Sequence, residues 1–227
     1  MDGDSILDRA VARRAPPVRA GKGIIRALLV ALSVLLLATA PVHAQATDLA
    51  AAMAERTIGK ADAPITILEF ASFTCPHCAR FHHEILPRIR AEFIDSGKAR
   101  LVFIDLPNDG LALRASMLAH CALPDRFFTL ASTLFDTQAN WIQASDQVQA
   151  LGQVAKLSGM TEPQIQACLG DTKLQDALLE RRLTVARQWT LTGTPTFILN
   201  EGVARVEGVN EPALVAALRK LSANPAR

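Results

Sequence analysis

Cys75-Pro76-His77-Cys78 is the segment of this sequence whose residue types and spacing best suit chemistry. The thiolate is the reactive form of cysteine, and a helix start presents unpaired N–H groups and the positive end of the helix dipole. Both would stabilise an anion on Cys75 if the motif opens a helix. Cys78 then lies about one turn further on, where it can attack a mixed disulfide held by Cys75. His77, between them, can add positive charge or a hydrogen bond to the Cys75 thiolate. Pro76 suits the first helical position, where no N–H is needed. Stabilising the thiolate stabilises the reduced dithiol, so the disulfide form becomes the stronger oxidant, and the pair is expected to accept electrons. Metal binding is the competing chemistry, because Cys75, Cys78, His82 and His83 approximate a zinc ligand set. Ligation would require both histidines to turn back toward the helix start, and no second Cys-x-x-Cys completes a site. His82 and His83 are therefore expected on the helix surface, with no metal bound.

The elements that must position this pair follow from the apolar pattern. Ile65 to Phe70 is a β-branched run of strand length, and a helix is expected from the motif to about Ser96. Phe81, Ile85, Ile89 and Phe93 repeat every four residues and predict one buried stripe; Pro87 should kink the helix and Gly97 should cap it. Leu101 to Ile104 reads as a second strand. Residues 109–190 read as wholly helical, with inward stripes at Leu111, Ala115 and Leu118 and at Val148, Leu151, Val154 and Leu157. Thr161-Glu162-Pro163-Gln164 has capping-box spacing, and a further helix is expected over 172–192. Strands resume at Thr196–Leu199 and Val203–Val206, and Asn210 caps a last helix whose Leu214, Leu218 and Leu221 face inward. Residues 45–63 read as a lead-in with a short helix. The order β-α-β, helices, β-β-α predicts an α/β domain carrying an inserted helical subdomain at about 109–190.

Of 227 residues, 50% are hydrophobic and 20% charged, which excludes disorder and coiled-coil architectures. The net charge of +2 is unevenly placed. Residues 1–44 carry six basic and three acidic residues, leaving 18 basic and 19 acidic in the remainder. Such a near-neutral body lacks the basic footprint of a nucleic-acid binder. The positive segment ends at Arg26, an uncharged and mostly apolar run follows from Ala27 to Ala40, and Val42-x-Ala44 offers small residues for cleavage. This is the pattern of a secretory signal peptide over 1–44, shorter than the roughly 20 apolar residues of a membrane span; an uncleaved anchor is the alternative. The mature chain, 45–227, is then expected in an oxidising compartment.

Phe70-Ala71-Ser72-Phe73-Thr74-Cys75-Pro76-His77-Cys78 resembles the active-site motif of the DsbA-like periplasmic thiol:disulfide oxidoreductases. Thr194-Pro195-Thr196-Phe197 resembles the cis-proline loop of thioredoxin folds, and the segment Asp95 to Phe103 is similar to the thioredoxin-4 branch. The resemblance covers the mature chain and implies a thioredoxin-like fold with an inserted helical subdomain. It implies no cofactor. Its implied partners are reduced or unfolded exported proteins and a membrane quinone-linked thiol oxidase of the DsbB kind. Pro195 would be cis, placing the Thr194 backbone beside the sulfurs where a substrate strand could pair. Glu69 corresponds to a buried acid below the pair, able to relay a proton for Cys78; a solvated strand position is its alternative. Gly208 is either near the site or a plain turn residue. Cys121 and Cys168, left over in an exported protein, are expected to form a structural disulfide, as in some relatives, with two separate buried thiols as the alternative. Thr194, where the best-known oxidase has Val, is expected to make the disulfide somewhat less oxidising. The direction of electron flow therefore stays open, a reductase or isomerase keeping the same chemistry. A non-catalytic peptide-binding chaperone is disfavoured by the intact cysteine pair.

Overall fold

The computed structural model describes residues 48–224. The leader over 1–44 lies outside the described residues. Among the described residues, no helix is long and apolar enough to cross a membrane.

A five-stranded sheet has the order β1-β3-β2-β4-β5. Its strands are β1 (Arg56–Ile58), β2 (Ile65–Ala71), β3 (Ala99–Asp105), β4 (Thr196–Leu199) and β5 (Ala204–Glu207). β2 and β3 run parallel, joined by the helix that begins with the cysteine motif, while β1, β4 and β5 pair antiparallel to their neighbours. β2 therefore lies at the centre. Its Ile65, Ile67, Glu69 and Ala71 point to one buried face by the period-2 alternation of a strand. A short helix, α1 (Leu49–Ala52), precedes β1 and is capped by Asp48. The lead-in thus contains a strand that the sequence does not announce. Arg-Thr-Ile is too short to carry a strand signal, and β1 exists because it pairs with the edge of β3.

The helix after β2, α2, spans residues 76–94 and alternates between α and π geometry, with π turns at Phe81–Ile85 and Arg90–Ile94. This alternation explains how a four-residue repeat stays on one face. A step of four overshoots an α turn by about 40°, and the wider π turn, bonded i→i+5, undershoots it. Phe81, Ile85, Ile89 and Phe93 are consequently all buried. Pro87 sits in the first turn of an α segment, after the Leu86 N–H has bonded to the Phe81 carbonyl, so the helix accommodates it by changing register.

All elements between β3 and β4 are helical: α3 (Gly110–Cys121), α4 (Phe127–Asp136), α5 (Gln138–Ile142), α6 (Gln147–Leu157), α7 (Glu162–Leu169) and α8 (Thr172–Gln188), with a 3-10 turn at Pro124–Arg126. In α6 the expected stripe is only half right. Leu151 and Val154 are buried, but Val148 and Leu157 are exposed. Steps of three lag an α turn by about 60° each, so three steps carry the last residue to the opposite side. Leu151, Gly152, Val154 and Ala155 form the buried face instead. α8 ends at Gln188, four residues before the expected end at Thr192. Thr161 and Gln164 form the expected capping box. The closing helix, α9 (Glu211–Ala223), is capped by Asn210 and buries Leu214, Leu218 and Leu221.

Buried polar side chains help tie the inserted helices to the sheet domain. His120 of α3 is buried, with Nε2 2.5 Å from Asp105 Oδ2 at the end of β3 and Nδ1 2.7 Å from the Ala52 carbonyl. Arg56 of β1 donates to the His120 carbonyl at 3.4 Å, and its guanidinium lies over Phe127 of α4.

Candidate active site

β2 runs out at Ala71, and the turn Ser72-Phe73-Thr74 delivers Cys75 to the N-cap of α2 in an extended conformation. The Cys75 carbonyl accepts the N–H groups of Cys78 at 3.1 Å and Ala79 at 3.2 Å, and Pro76 occupies the first helical turn without forfeiting a bond. The turn is held from the inserted helices. Gln138 donates to the carbonyls of Phe73, 2.7 Å, and Cys75, 3.0 Å. Thr74 donates to Asp109 Oδ2, and Asp109 Oδ1 in turn caps α3 through the Ala112 N–H, both at 2.7 Å. Phe73 is buried against Phe103 and Phe135.

The peptide bond between Thr194 and Pro195 is cis and faces the motif. The Cys75 sulfur lies 3.3 Å from the Thr194 carbonyl, to which it donates when protonated. Asn108 donates to Thr194 Oγ1 at 3.2 Å, which leaves that hydroxyl's hydrogen free to point at the Cys75 sulfur. The Gly208 N–H donates to the Pro195 carbonyl at 2.8 Å from a φ of +66°, a conformation that favours glycine, so Gly208 supports the proline loop. Pro76 and His77 are exposed, Cys75 is half-buried, and Cys78 is fully buried behind it.

Burial and hydrogen bonding drive the two sulfurs apart. The Cys75 thiol falls from the ordinary value of 9.0 to about 5. The hydrogen bond from the Cys78 thiol is the main cause; burial opposes it, and the Thr194 side chain and the backbone N–H groups of Cys78 and His77 add to it. Cys78 moves strongly upward, first through burial, then through its hydrogen bond and charge interaction with Cys75, with the Glu69 charge adding to the rise. At neutral pH Cys75 is a thiolate and Cys78 a thiol. The His77 backbone N–H is thus among the groups that hold the Cys75 thiolate. The Thr194 hydroxyl stabilises the thiolate and hence the reduced form, opposite in sign to the effect expected from a more polar pocket.

A thiolate reacts with an alkylating agent and a thiol does not, so the rate of Cys75 carboxymethylation in the reduced protein should rise to a plateau with a midpoint near pH 5. Because the folded value lies below the unfolded one, the stabilisation of the reduced fold is complete above the unfolded value, near pH 9, and is lost as pH falls through the folded value. A midpoint near 9.0, the ordinary thiol value, would contradict this electrostatic picture.

Glu69 is completely buried, so the solvated alternative does not describe it. Its partner is a residue the sequence places wrongly. His82 is buried, with Nε2 2.8 Å from Glu69 Oε1, and its ring stacks on Phe135 at 4.2 Å between centroids. The physical reason is the breadth of the buried face at the first π turn, where Phe81 and His82 are both covered, and Glu69 compensates the buried imidazole. His83 is exposed and lies 3.4 Å from Asp136. Cys75, Cys78, His82 and His83 therefore do not converge, and among the described residues no group of three such side chains is placed to hold a metal. Cys121 and Cys168 are bonded to each other, linking α3 to α7 within the inserted helices. Gln138, Asn108 and Asp109 also escape a reading of the sequence. The turn composition Asn108-Asp109-Gly110 ahead of a helix was the available signal for two of them, and nothing local marks Gln138.

A small mixed sheet, a helical insertion between β3 and β4, a dithiol at a helix start and a cis-proline facing it define a protein of the thioredoxin fold in its DsbA-like form. A family model described as Thioredoxin (Thioredoxin_4) matches residues 51–218, and the chain belongs to that family. It is 28% identical over 167 residues, 73% of this chain, to a Rickettsia bellii protein named as a protein-disulfide oxidoreductase; the match spans 64% of that protein's length. It is 28% identical over 156 residues to the disulfide bond formation protein D of Bacillus subtilis, covering 65% of this chain and 68% of that protein. The crystal structure of Wolbachia pipientis alpha-DsbA1 superposes with a TM-score of 0.67 at 26% identity, over 75% of this chain and 92% of that one.

Proposed function

We propose that this chain is an exported, periplasmic protein-dithiol–disulfide oxidoreductase that passes its Cys75–Cys78 disulfide to reduced, unfolded exported proteins. A membrane quinone-linked thiol oxidase of the DsbB kind restores the disulfide. The observation that carries the reading is the split between the two sulfurs, with Cys75 at about 5 beside the cis-proline loop and Cys78 buried and held protonated. The relatives' names and the signal-peptide pattern of the leader support it.

In the forward reaction a substrate thiolate attacks the Cys75 sulfur of the disulfide. A substrate–Cys75 bond forms, and the Cys75–Cys78 bond breaks with its electron pair on Cys78, which takes up a proton. A second substrate thiolate then attacks the substrate sulfur of the mixed disulfide, and Cys75 leaves as a thiolate. Two electrons have passed to the protein. The low Cys75 value makes it a good leaving group in that last step, which is why this geometry favours oxidation of the substrate. The loop before Pro195 offers its backbone to the extended substrate.

Equilibration of the purified protein with glutathione buffers tests the direction. An oxidase requires a potential above that of the glutathione pool and oxidation of a dithiol peptide in stoichiometric turnover. A potential near about −270 mV, the thioredoxin value, would instead assign a reductase. In the same titration Thr194→Val should move the potential only modestly, by about 20 mV or roughly 1 kcal/mol. Losing the hydroxyl's hydrogen bond and losing its polarity act in opposite directions. A shift above about 60 mV would show that Thr194 itself sets the potential.

A further inference from the structure

The oxidoreductase reading leaves one buried group unexplained. Glu69 is fully buried, and its Oε2 has no hydrogen-bond partner among the described residues, although such an orphaned oxygen is costly. Its other oxygen is held by His82. His82 lies four residues after Cys78, on the same side of α2, and Cys78 feels the Glu69 charge. We propose that His82 is a positioning residue for the dithiol: it holds the Glu69 carboxyl by Oε1 so that Oε2 exchanges the proton that Cys78 must gain and lose. The inference rests on the exchange reaction proposed above.

The proton balance is simple. When a substrate thiolate opens the disulfide, Cys78 leaves with the bond's electron pair as a thiolate. Glu69, as the acid, gives it the Oε2 proton and becomes a carboxylate, which keeps the hydrogen bond from His82 Nε2–H. In the reverse step the Cys78 thiol returns that proton to the carboxylate as its sulfur attacks Cys75. His82 stays in the Nε2–H form throughout and touches no reacting atom. Aromatic rings surround the pair. Phe103 of β3 and Phe197 of β4 flank Glu69 in register, and Phe135 of α4 covers the imidazole. Asp136, next along α4, faces His83 instead; Asp105, two residues beyond Phe103 on the same face of β3, is paired with His120; and Cys78 is the group on which the Glu69 charge acts.

The test measures the Cys78-dependent step directly, as attack of Cys78 on a Cys75–glutathione mixed disulfide, across a pH series. His82→Phe keeps a ring against Phe135 but removes the donor, so the carboxylate loses the hydrogen bond from His82. The step should slow by roughly tenfold at neutral pH, and its midpoint should move up by about one pH unit. His82→Gln, which retains a side-chain N–H, should recover most of both. In a Glu69→Gln background His82→Phe should move the midpoint no further, and the Cys75 alkylation profile should keep its midpoint near pH 5 in every variant. A His82→Phe profile that superimposes on wild type, with wild type active, overturns this inference alone. An inactive wild type overturns the oxidoreductase reading instead. The unmodified protein gives an independent check by nitrogen NMR of the histidine rings: His82 Nε2 must carry a proton through the range where the step titrates, and a deprotonated Nε2 there overturns the proposal even if the variants do not fold.

Discussion

Cys75→Ser is expected to remove exchange entirely, to below about a thousandth of the wild-type rate, the scale on which losing a covalent nucleophile acts. Cys78→Ser should behave differently. Its Cys75 thiolate can still attack a peptide disulfide, forming a Cys75–peptide bond and releasing the other peptide sulfur. With no second sulfur behind it, the mixed disulfide accumulates. The structure explains the division of labour. Cys75 is half-buried at the N-cap with its charge stabilised, whereas Cys78 has no exposed surface and is held as a thiol. Non-reducing gels and intact mass of each variant after incubation with a disulfide peptide read the result. An adduct on Cys78 in a Cys75→Ser protein, or none on Cys75 in Cys78→Ser, would reverse the assignment.

The second large effect is on stability. Cys121 and Cys168 are 47 residues apart, and closing a loop of that length stabilises by about 4 kcal/mol in the chain-entropy model. Replacing both with Ala should lower the melting temperature by about 10 °C for a domain of this size. Dithiol–disulfide exchange should be largely retained, because the bond lies between α3 and α7 while the reactive pair sits at the junction of β2 and α2. Calorimetry and the peptide assay on the double variant decide between a structural and a redox role. Full stability with lost activity would make the pair part of the chemistry.

Much of this is legible in the amino-acid sequence. The Cys75-x-x-Cys78 spacing, the strand ahead of it and the Phe81–Phe93 stripe specify a helix start carrying two sulfurs. Those signals are local, since they depend on residues within a turn or two of each other. The helical character of 109–190 and the strands at Thr196–Leu199 and Val203–Val206 were also readable, although only half of the expected α6 stripe is buried and the last strand lies one residue further on, at Ala204–Glu207. β1 was not, because three residues carry no strand signal until β3 offers an edge.

The tertiary structure decided the surroundings of the sulfurs. Gln138 holds the motif's turn from 63 residues away and Asn108 reaches Thr194 across 86. His82 looked like a surface residue on a helix whose buried face was already filled, until a π turn widened that face and β2 set Glu69 against it. The sequence by itself determined that this protein has a reactive dithiol at a helix start on a small α/β scaffold. The sequence also pointed to Cys75 as the thiolate and, by resemblance, to Glu69 as the buried acid; only the tertiary structure decided that this carboxyl is fully covered, that His82 is its partner and which groups reach the Cys75 sulfur. Those properties come from desolvation and hydrogen bonds between residues distant in sequence, and no local pattern encodes such contacts.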